Sequence, residues 1–413
     1  MMTHPPTQTP NIKTGPHPLA LHVALLTMLS ATSLSALSSL KNGLLPWRPH
    51  LAKAASELTS KLQNVDTETF AKALHKETLR RHEGFANGIK QYWSYARSQH
   101  QSPPDVIWQE GTTRLLDFGS QSNSAGNKSK RPLLIIPSLI NRYHVLDLSN
   151  GRSFARALRD QGFHPYIIDW NAPGEDEKDF KLSDYIIKRL EPALKDINKR
   201  HHAKVGIIGY CMGGLLSLAL AHRKPDQTHN LSLLATPWDF HTGHEAQILM
   251  LKAMQPHINT MIDTIGEIPV DVLQAMFSSL NPWLTIDKFQ RFSKTDTDDL
   301  FVELEDWLNS GPPLAGPAGR ECLNEWYIEN TPFMGEWCVD GTPVLPEQIN
   351  TPCLAIIPQR DHIVPPKSAS AIVEKLPNVE TININKGHVG MIVGNGSQKT
   401  LVEPLSEWLS KNF

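Results

Sequence analysis

Cysteine is scarce in this sequence, and its spacing excludes more than its number. Only Cys211, Cys322, Cys338 and Cys353 occur in 413 residues. No two stand as C-x-x-C, which rules out a zinc ribbon or a dithiol redox motif. Four cysteines in so long a chain are no disulfide scaffold either, and a reduced, cytoplasmic compartment is expected. Charge bias is also missing. The 40 Lys and Arg face 42 Asp and Glu, leaving a formal charge of -2. No basic excess exists to recruit phosphates, so nucleic acid is not an expected partner. Neither a metal nor a cofactor is expected. What remains is 40% hydrophobic and 20% charged, the balance of a folded globular chain. Its length allows roughly two to three domains.

Residues 1–17 are rich in Pro and Thr and read as a disordered tail. Between Lys13 and Lys41 no charged residue occurs, and LALHVALLTMLSATSLSALSSL lies at the centre. A secretory signal, a membrane span and an amphipathic helix on an apolar surface compete for this stretch. His22 and the hydroxyls of Thr27, Ser30, Thr32, Ser33, Ser35, Ser38 and Ser39 lower its hydrophobicity. The weakly charged lead is unlike a signal, and the amphipathic helix is favoured. Leu51, Ala55, Leu58, Leu62, Phe70, Leu74 and Leu79 then follow at helical spacing. Residues 18–104 are thus expected to form a helical N-terminal region.

From about residue 105 the pattern changes to short apolar runs bounded by Pro, Gly or Asp. They are Leu133–Pro137, Tyr166–Trp170, Val205–Gly209, Leu231–Leu234, Cys353–Pro358 and Val379–Asn385. Runs of Ile, Val and Leu without polar alternation suit strands buried on both faces. Helical patterns lie between them at 153–161, 182–200, 215–222 and 368–376. Such alternation predicts an α/β domain over 105–413 with a mostly parallel sheet. The gap from about 238 to 352 is too long for one crossover and reads as an inserted helical cap. Its Trp238, Phe240, Trp283, Phe289, Phe292, Trp307, Trp326 and Trp337 are expected mainly to pack its core.

One strand runs into Gly209-Tyr210-Cys211-Met212-Gly213-Gly214 and then into a helical pattern. Strand, sharp turn and helix make a nucleophile elbow, with Cys211 where serine usually stands. Small neighbours relieve the crowding of a strained turn. The helix N-terminus aims its dipole and the Met212 N–H at the sulfur, a field suited to a thiolate and to an oxyanion. Such a site needs an acid and then a histidine further along. Asp361 follows the run 353–358, and His388 follows 379–385, flanked by Gly387. His388 would move the thiol proton, and Asp361 would fix its tautomer. His362 is the rival base, and the remaining histidines, including His201 and His202, read as surface residues. Leu139, after the first core strand, is the candidate for the second oxyanion N–H. Cys322, Cys338 and Cys353 read as structural thiols.

These residues, together with PLLIIPSLINRYHVLDL, YIIDWNAP, LLATPWDF, DTIGEIPVDVLQAMFSSLNPW, DWLNSGPPLAGP, RDHIVPP and KGHVGMIVG, resemble the polyhydroxyalkanoate synthases. The cap segments look most like the short class III catalytic subunits. The resemblance implies an α/β-hydrolase fold and an acyltransferase that polymerises 3-hydroxyacyl-CoA, with 3-hydroxybutyryl-CoA the expected substrate. It implies that Cys211 carries the growing chain as a thioester, His388 is the base and Asp361 assists. A polyester granule surface and a second synthase subunit or a homodimer are the implied partners. Peripheral membrane contact through the apolar N-terminal segment stays open. The chain departs from the short synthases in its roughly 100 leading residues. Two rivals remain: a thioesterase, esterase or depolymerase with water as acceptor, and a non-catalytic granule subunit.

Overall fold

A computed structural model describes residues 15–47, 49–97, 102–120, 131–295 and 297–413. The chain forms two compact units: residues 1–97 with 274–305, and residues 98–273 with 306–413.

The second unit is built on one eight-stranded sheet. Its strands are β1 (Asp105–Glu110), β2 (Thr113–Asp117), β3 (Arg131–Ile136), β4 (Phe163–Asp169), β5 (Val205–Tyr210), β6 (Thr228–Leu234), β7 (Cys353–Pro358) and β8 (Val379–Ile384). Their order across the sheet is β1-β2-β4-β3-β5-β6-β7-β8. β3 to β8 run parallel, and antiparallel pairing is confined to β1 with β2 and β2 with β4. The six apolar runs of the sequence are the six parallel strands. Residues of β5 and β7 are buried throughout, as strands covered on both faces must be. The antiparallel pair at the edge went unanticipated. β1 is polar and exposed at both ends, with only Val106, Ile107 and Trp108 apolar between them.

Helices Phe154–Asp160, Glu191–His201 and Met212–Arg223 lie between the parallel strands. The helix expected at 368–376 is shorter, spanning Pro366–Ser370. Between β6 and β7 the chain forms helix Glu245–Ile265, and later helix Gly316–Glu321 running into a π-helical segment, Cys322–Ile328. Trp326 and Trp337 meet edge to face at 5.3 Å, and Phe240 lies 5.9 Å from Trp326. All three are buried, and they form an aromatic core in this part of the insert.

The first unit joins the N-terminal helices to residues 274–305, which the sequence reading placed inside the cap. Helix Thr67–Ser94 opens on Asp66, whose side chain accepts the Thr69 N–H. It packs Phe85, Ile89 and Tyr92 against Ile286, Phe289 and Phe292. Phe289 meets Phe85 and Tyr92 edge to face at 6.0 and 5.7 Å. Gly88 lets the helix approach, since a Cβ there would strike the Phe289 carbonyl. Each buried phenylalanine contributes about 1.5–3 kcal/mol relative to exposure.

Helix Leu19–Ser35 adds Leu26 to the same core. Its apolar residues are not gathered on one face: Val23, Met28 and Leu34 are exposed. The amphipathic expectation is corrected accordingly. Thr27, Ser30 and Thr32 donate to carbonyls one turn back, at 2.9, 2.8 and 2.9 Å, which satisfies their hydroxyls within the helix. No helix of the described residues is long and apolar enough to cross a membrane. Most of the tail expected at 1–17 lies outside the described residues; the Gly15 carbonyl accepts from the Trp93 indole at 3.0 Å.

The histidines are less superficial than expected. His22 is fully buried, and its Nε2 faces the His17 carbonyl at 3.2 Å. His164 pairs with Asp117 at 2.8 Å, and His201 with the Tyr166 hydroxyl at 2.9 Å. Local sequence gave no sign of these partners, which come from neighbouring strands.

Candidate active site

Cys211 sits at the end of β5, where the chain turns into helix Met212–Arg223. Its backbone has φ 56° and ψ -127°, outside the comfortable range of an L-residue. Its own N–H donates to the Leu234 carbonyl at 2.9 Å, and its carbonyl accepts the Gly214 N–H at 2.8 Å. Three glycines make the turn possible. A Cβ on Gly209 would lie 2.5 Å from the Gly214 Cα. One on Gly213 would strike the Ile136 carbonyl, and one on Gly214 the Thr236 side chain. The spacing read from sequence as relief of crowding therefore has named opponents.

Asp361 and His388 stand on the loops after β7 and β8, at the same carboxyl edge of the sheet as Cys211. Asp361 Oδ2 accepts from His388 Nδ1 at 2.6 Å. The other carboxylate oxygen accepts the N–H groups of Ile363 and Val364, at 2.8 and 2.9 Å. Both side chains are buried. The Asp361 carboxylate is thus held by three donors and presents a fixed face to the imidazole. With Nδ1 engaged by Asp361, Nε2 is the ring nitrogen left for a proton exchange with the Cys211 sulfur. Burial alone would lower the His388 pKa. The charge of Cys211 and the hydrogen bonds to Asp361 and Cys211 outweigh it and raise the value to about 10. The arrangement favours an imidazolium facing the sulfur. His362, the rival base, is exposed.

Of the two expected oxyanion donors, Met212 belongs to this turn and Leu139 to the loop after β3. Met212 is the first residue of its helix, so its N–H has no carbonyl one turn back. Leu139 is buried in the loop after β3. The start of that loop lies against Gly213, and the Trp170 indole donates to the Pro137 carbonyl at 3.1 Å. Apolar residues flank the sulfur: Cys211 packs with Ile357, Val364 and Ala369, alongside Ile363 and Val373.

Several neighbours escaped the sequence reading. His244, at the start of helix Glu245–Ile265, donates from Nε2 to the Ile363 carbonyl at 3.1 Å, tying the insert to the Asp361 loop. Cys322 is buried, and burial is the main cause of its raised pKa, with the charges of Glu321 and Cys211 adding to it. Burial likewise raises Glu321 to about 7, against the Leu182 N–H that it accepts at 2.7 Å. Tyr210 reaches His388 from the residue before the nucleophile. No local signal marks these contacts, because each joins segments far apart in sequence.

Known proteins bear on the same residues. The family model for the alpha/beta hydrolase fold matches residues 131–394. The model for the poly-beta-hydroxybutyrate polymerase (PhaC) N-terminus matches residues 90–158. A poly(3-hydroxyalkanoate) polymerase subunit from Haloarcula marismortui is 28% identical over 325 residues, covering 75% of this chain and 68% of that protein. The subunits from Allochromatium vinosum and Synechocystis sp. are each 29% identical, over 75% and 81% of this chain and 89% and 92% of their own lengths. Among solved structures, a thermophilic esterase from Thermogutta terrifontis aligns with a TM-score of 0.45 at 15% identity, over 76% of this chain and 99% of its own. By its sheet order, its strained turn between strand and helix, and the match over 131–394, the chain belongs to the alpha/beta hydrolase fold family, and within it is similar to the poly(3-hydroxyalkanoate) polymerases.

Proposed function

We propose that this protein polymerises 3-hydroxyacyl-CoA, with 3-hydroxybutyryl-CoA as the first substrate to test, and releases CoA. The observation that carries the reading is a cysteine at the elbow, facing a buried His388–Asp361 pair, in a chain similar to polymerases over most of its length. Cys211 is the nucleophile, His388 the proton carrier and Asp361 the group that orients it.

The Cys211 sulfur attacks the thioester carbonyl of the substrate. A new S–C bond forms, the bond to the CoA sulfur breaks, and His388 gives the departing CoA its proton. One thioester replaces another, so little bond energy is at stake. The 3-hydroxyl of a second acyl-CoA then attacks the acyl-enzyme, His388 takes its proton, and the Cys211 thiolate leaves. The product is an ester one unit longer that still carries CoA, and it returns to Cys211 by the first step. In both steps the N–H groups of Met212 and Leu139 receive the negative oxygen. Neither metal nor cofactor enters this scheme.

Chain growth requires that water lose to a hydroxyl at the acyl-enzyme. The apolar packing of Cys211 against Val364 and Ala369 favours that outcome. The polyester granule is the working surface. The exposed Val23, Met28 and Leu34 supply apolar contact with it, and a second subunit or a second copy completes the active assembly.

Incubation with 3-hydroxybutyryl-CoA, scored for CoA and polymer together, tests the reading. CoA plus insoluble polyester is expected, with neither from Cys211→Ala. Free hydroxy acid as the only product would make the protein a thioesterase. Unchanged polymer from Cys211→Ala would remove the site from the chemistry. Deletion of residues 18–45 is expected to weaken granule association.

A further inference from the structure

We propose that Tyr210 is a positioning residue that fastens His388 to the nucleophile's own strand. The inference rests on the catalytic reading above and adds a residue to it.

Tyr210 is the last residue of β5, directly before Cys211, and is buried. Its hydroxyl donates to the His388 backbone carbonyl at 3.3 Å, across 178 residues of sequence. Its ring lies 5.1 Å from the imidazole, with the planes 31° apart. One side chain thus touches the base twice, at the backbone and at the ring.

His388 needs such a hold. It stands in Gly387-His388-Val389-Gly390, where the Gly387 and Val389 carbonyls accept from the following turn, and the backbone bond of His388 itself is the one to Tyr210. A Cβ on Gly390 would meet nothing within 4 Å. Asp361 fixes the Nδ1 end of the ring but leaves the carbonyl and the ring face free. Tyr210 supplies both missing restraints. Because it shares a peptide bond with Cys211, any shift of the sulfur carries the restraint with it. The distance between base and nucleophile is therefore set from one strand end.

The chemistry of the residue fits the role. Packing alone would be met by an apolar side chain, without burying a hydroxyl. Burial holds the phenol well above its usual pKa, so it stays a donor through the working range. The π face turned toward the imidazole favours the ring when it carries a positive charge.

The test uses full-length Tyr210→Phe and Tyr210→Leu with two readouts. One is kcat and KM for CoA release from 3-hydroxybutyryl-CoA. The other is the pH profile of Cys211 alkylation by iodoacetamide, followed by mass on the Cys211 peptide. Tyr210→Phe is expected to lower kcat about tenfold with KM within about twofold, as misplacement of a base does. Its alkylation midpoint is expected to move up by about half a pH unit, because a displaced imidazolium supports a thiolate less well. Tyr210→Leu is expected to move both further; if it fails to fold, Tyr210→Phe decides alone. An alkylation profile of Tyr210→Phe that matches the wild type overturns the proposal, whatever happens to kcat. A shifted profile in a protein that makes no polymer keeps the Tyr210–His388 link and overturns the polymerase reading instead.

Discussion

Two buried histidines in the two units of this chain have pKa values shifted in opposite directions. His388 is raised to about 10, whereas His22 is lowered. Burial alone disfavours the charged ring in both. At His388 it is outweighed by the Cys211 charge and by the hydrogen bonds to Asp361 and Cys211. At His22 burial dominates; the His17 carbonyl opposes it, and Lys288 adds to it. Among the described residues, His22 Nδ1 has no hydrogen-bond partner, and no carboxylate receives the ring. The difference teaches that a buried histidine is read from its partners. Depth decides only that the answer will be extreme.

The strongest way to break the contrast is to remove the carboxylate. Asp361→Asn keeps the shape and discards the charge, so the His388 pKa is expected to fall, with the Cys211 charge still holding it up in part. CoA release should drop on the order of a thousandfold, as when a triad acid is neutralised. Steady-state kinetics measures it, and a loss below tenfold would make Asp361 a structural residue only.

A second prediction sharpens the contrast by pH. The lowered folded value means that His22 stabilises its unit above the unfolded pKa of about 6.5, with loss as pH falls below it. His388 has the reverse sign: its contribution is complete below about 6.5 and is lost as pH rises through about 10. Hydrogen exchange at pH 5 should therefore deprotect helix Leu19–Ser35 while β5 and β7 stay protected. Equal protection of that helix at pH 5 and 7 would contradict the sign given for His22.

Lys288→Met offers a milder probe. Lys288 pairs with Glu305 at 2.5 Å, so the substitution removes one cationic partner from that buried carboxylate. It should destabilise the first unit by about 3 kcal/mol. His22 should at the same time titrate at higher pH, which histidine NMR would record. The smallest expected effect is that of His22→Leu. Replacing a buried ring that has an unmatched nitrogen with an apolar side chain should stabilise by about 1 kcal/mol. Activity should be unchanged, and thermal melting at pH 5 and 7 should converge.

Much of the fold was legible because its strands declare themselves. Runs such as LLII and VGIIG belong to strands covered on both faces, and no other placement would bury them. β1 was not legible, since an exposed edge strand needs only a short apolar stretch, here Val106 to Trp108, between polar ends. Cys211, Asp361 and His388 were legible because each follows a strand end, and strand ends share one edge of a parallel sheet. Contacts made sideways were not. Nothing in the sequence near Phe289 tells that it packs on Phe85 and Tyr92. Nothing near Tyr210 announces His388, because a hydroxyl does not signal which distant carbonyl it will meet.

The positive φ of Cys211 has one more consequence. The bent backbone is imposed by what surrounds it: Gly209, Gly213, Gly214 and the carbonyls and side chains pressed against them. It would be there whether the side chain ended in sulfur or oxygen. The scaffold therefore supplies a pose and leaves the reacting element open. A change of one atom at position 211 could exchange a thiol for an alcohol without rebuilding anything else. Architecture and reagent can vary independently here, and a lineage could try a new nucleophile while keeping an old fold.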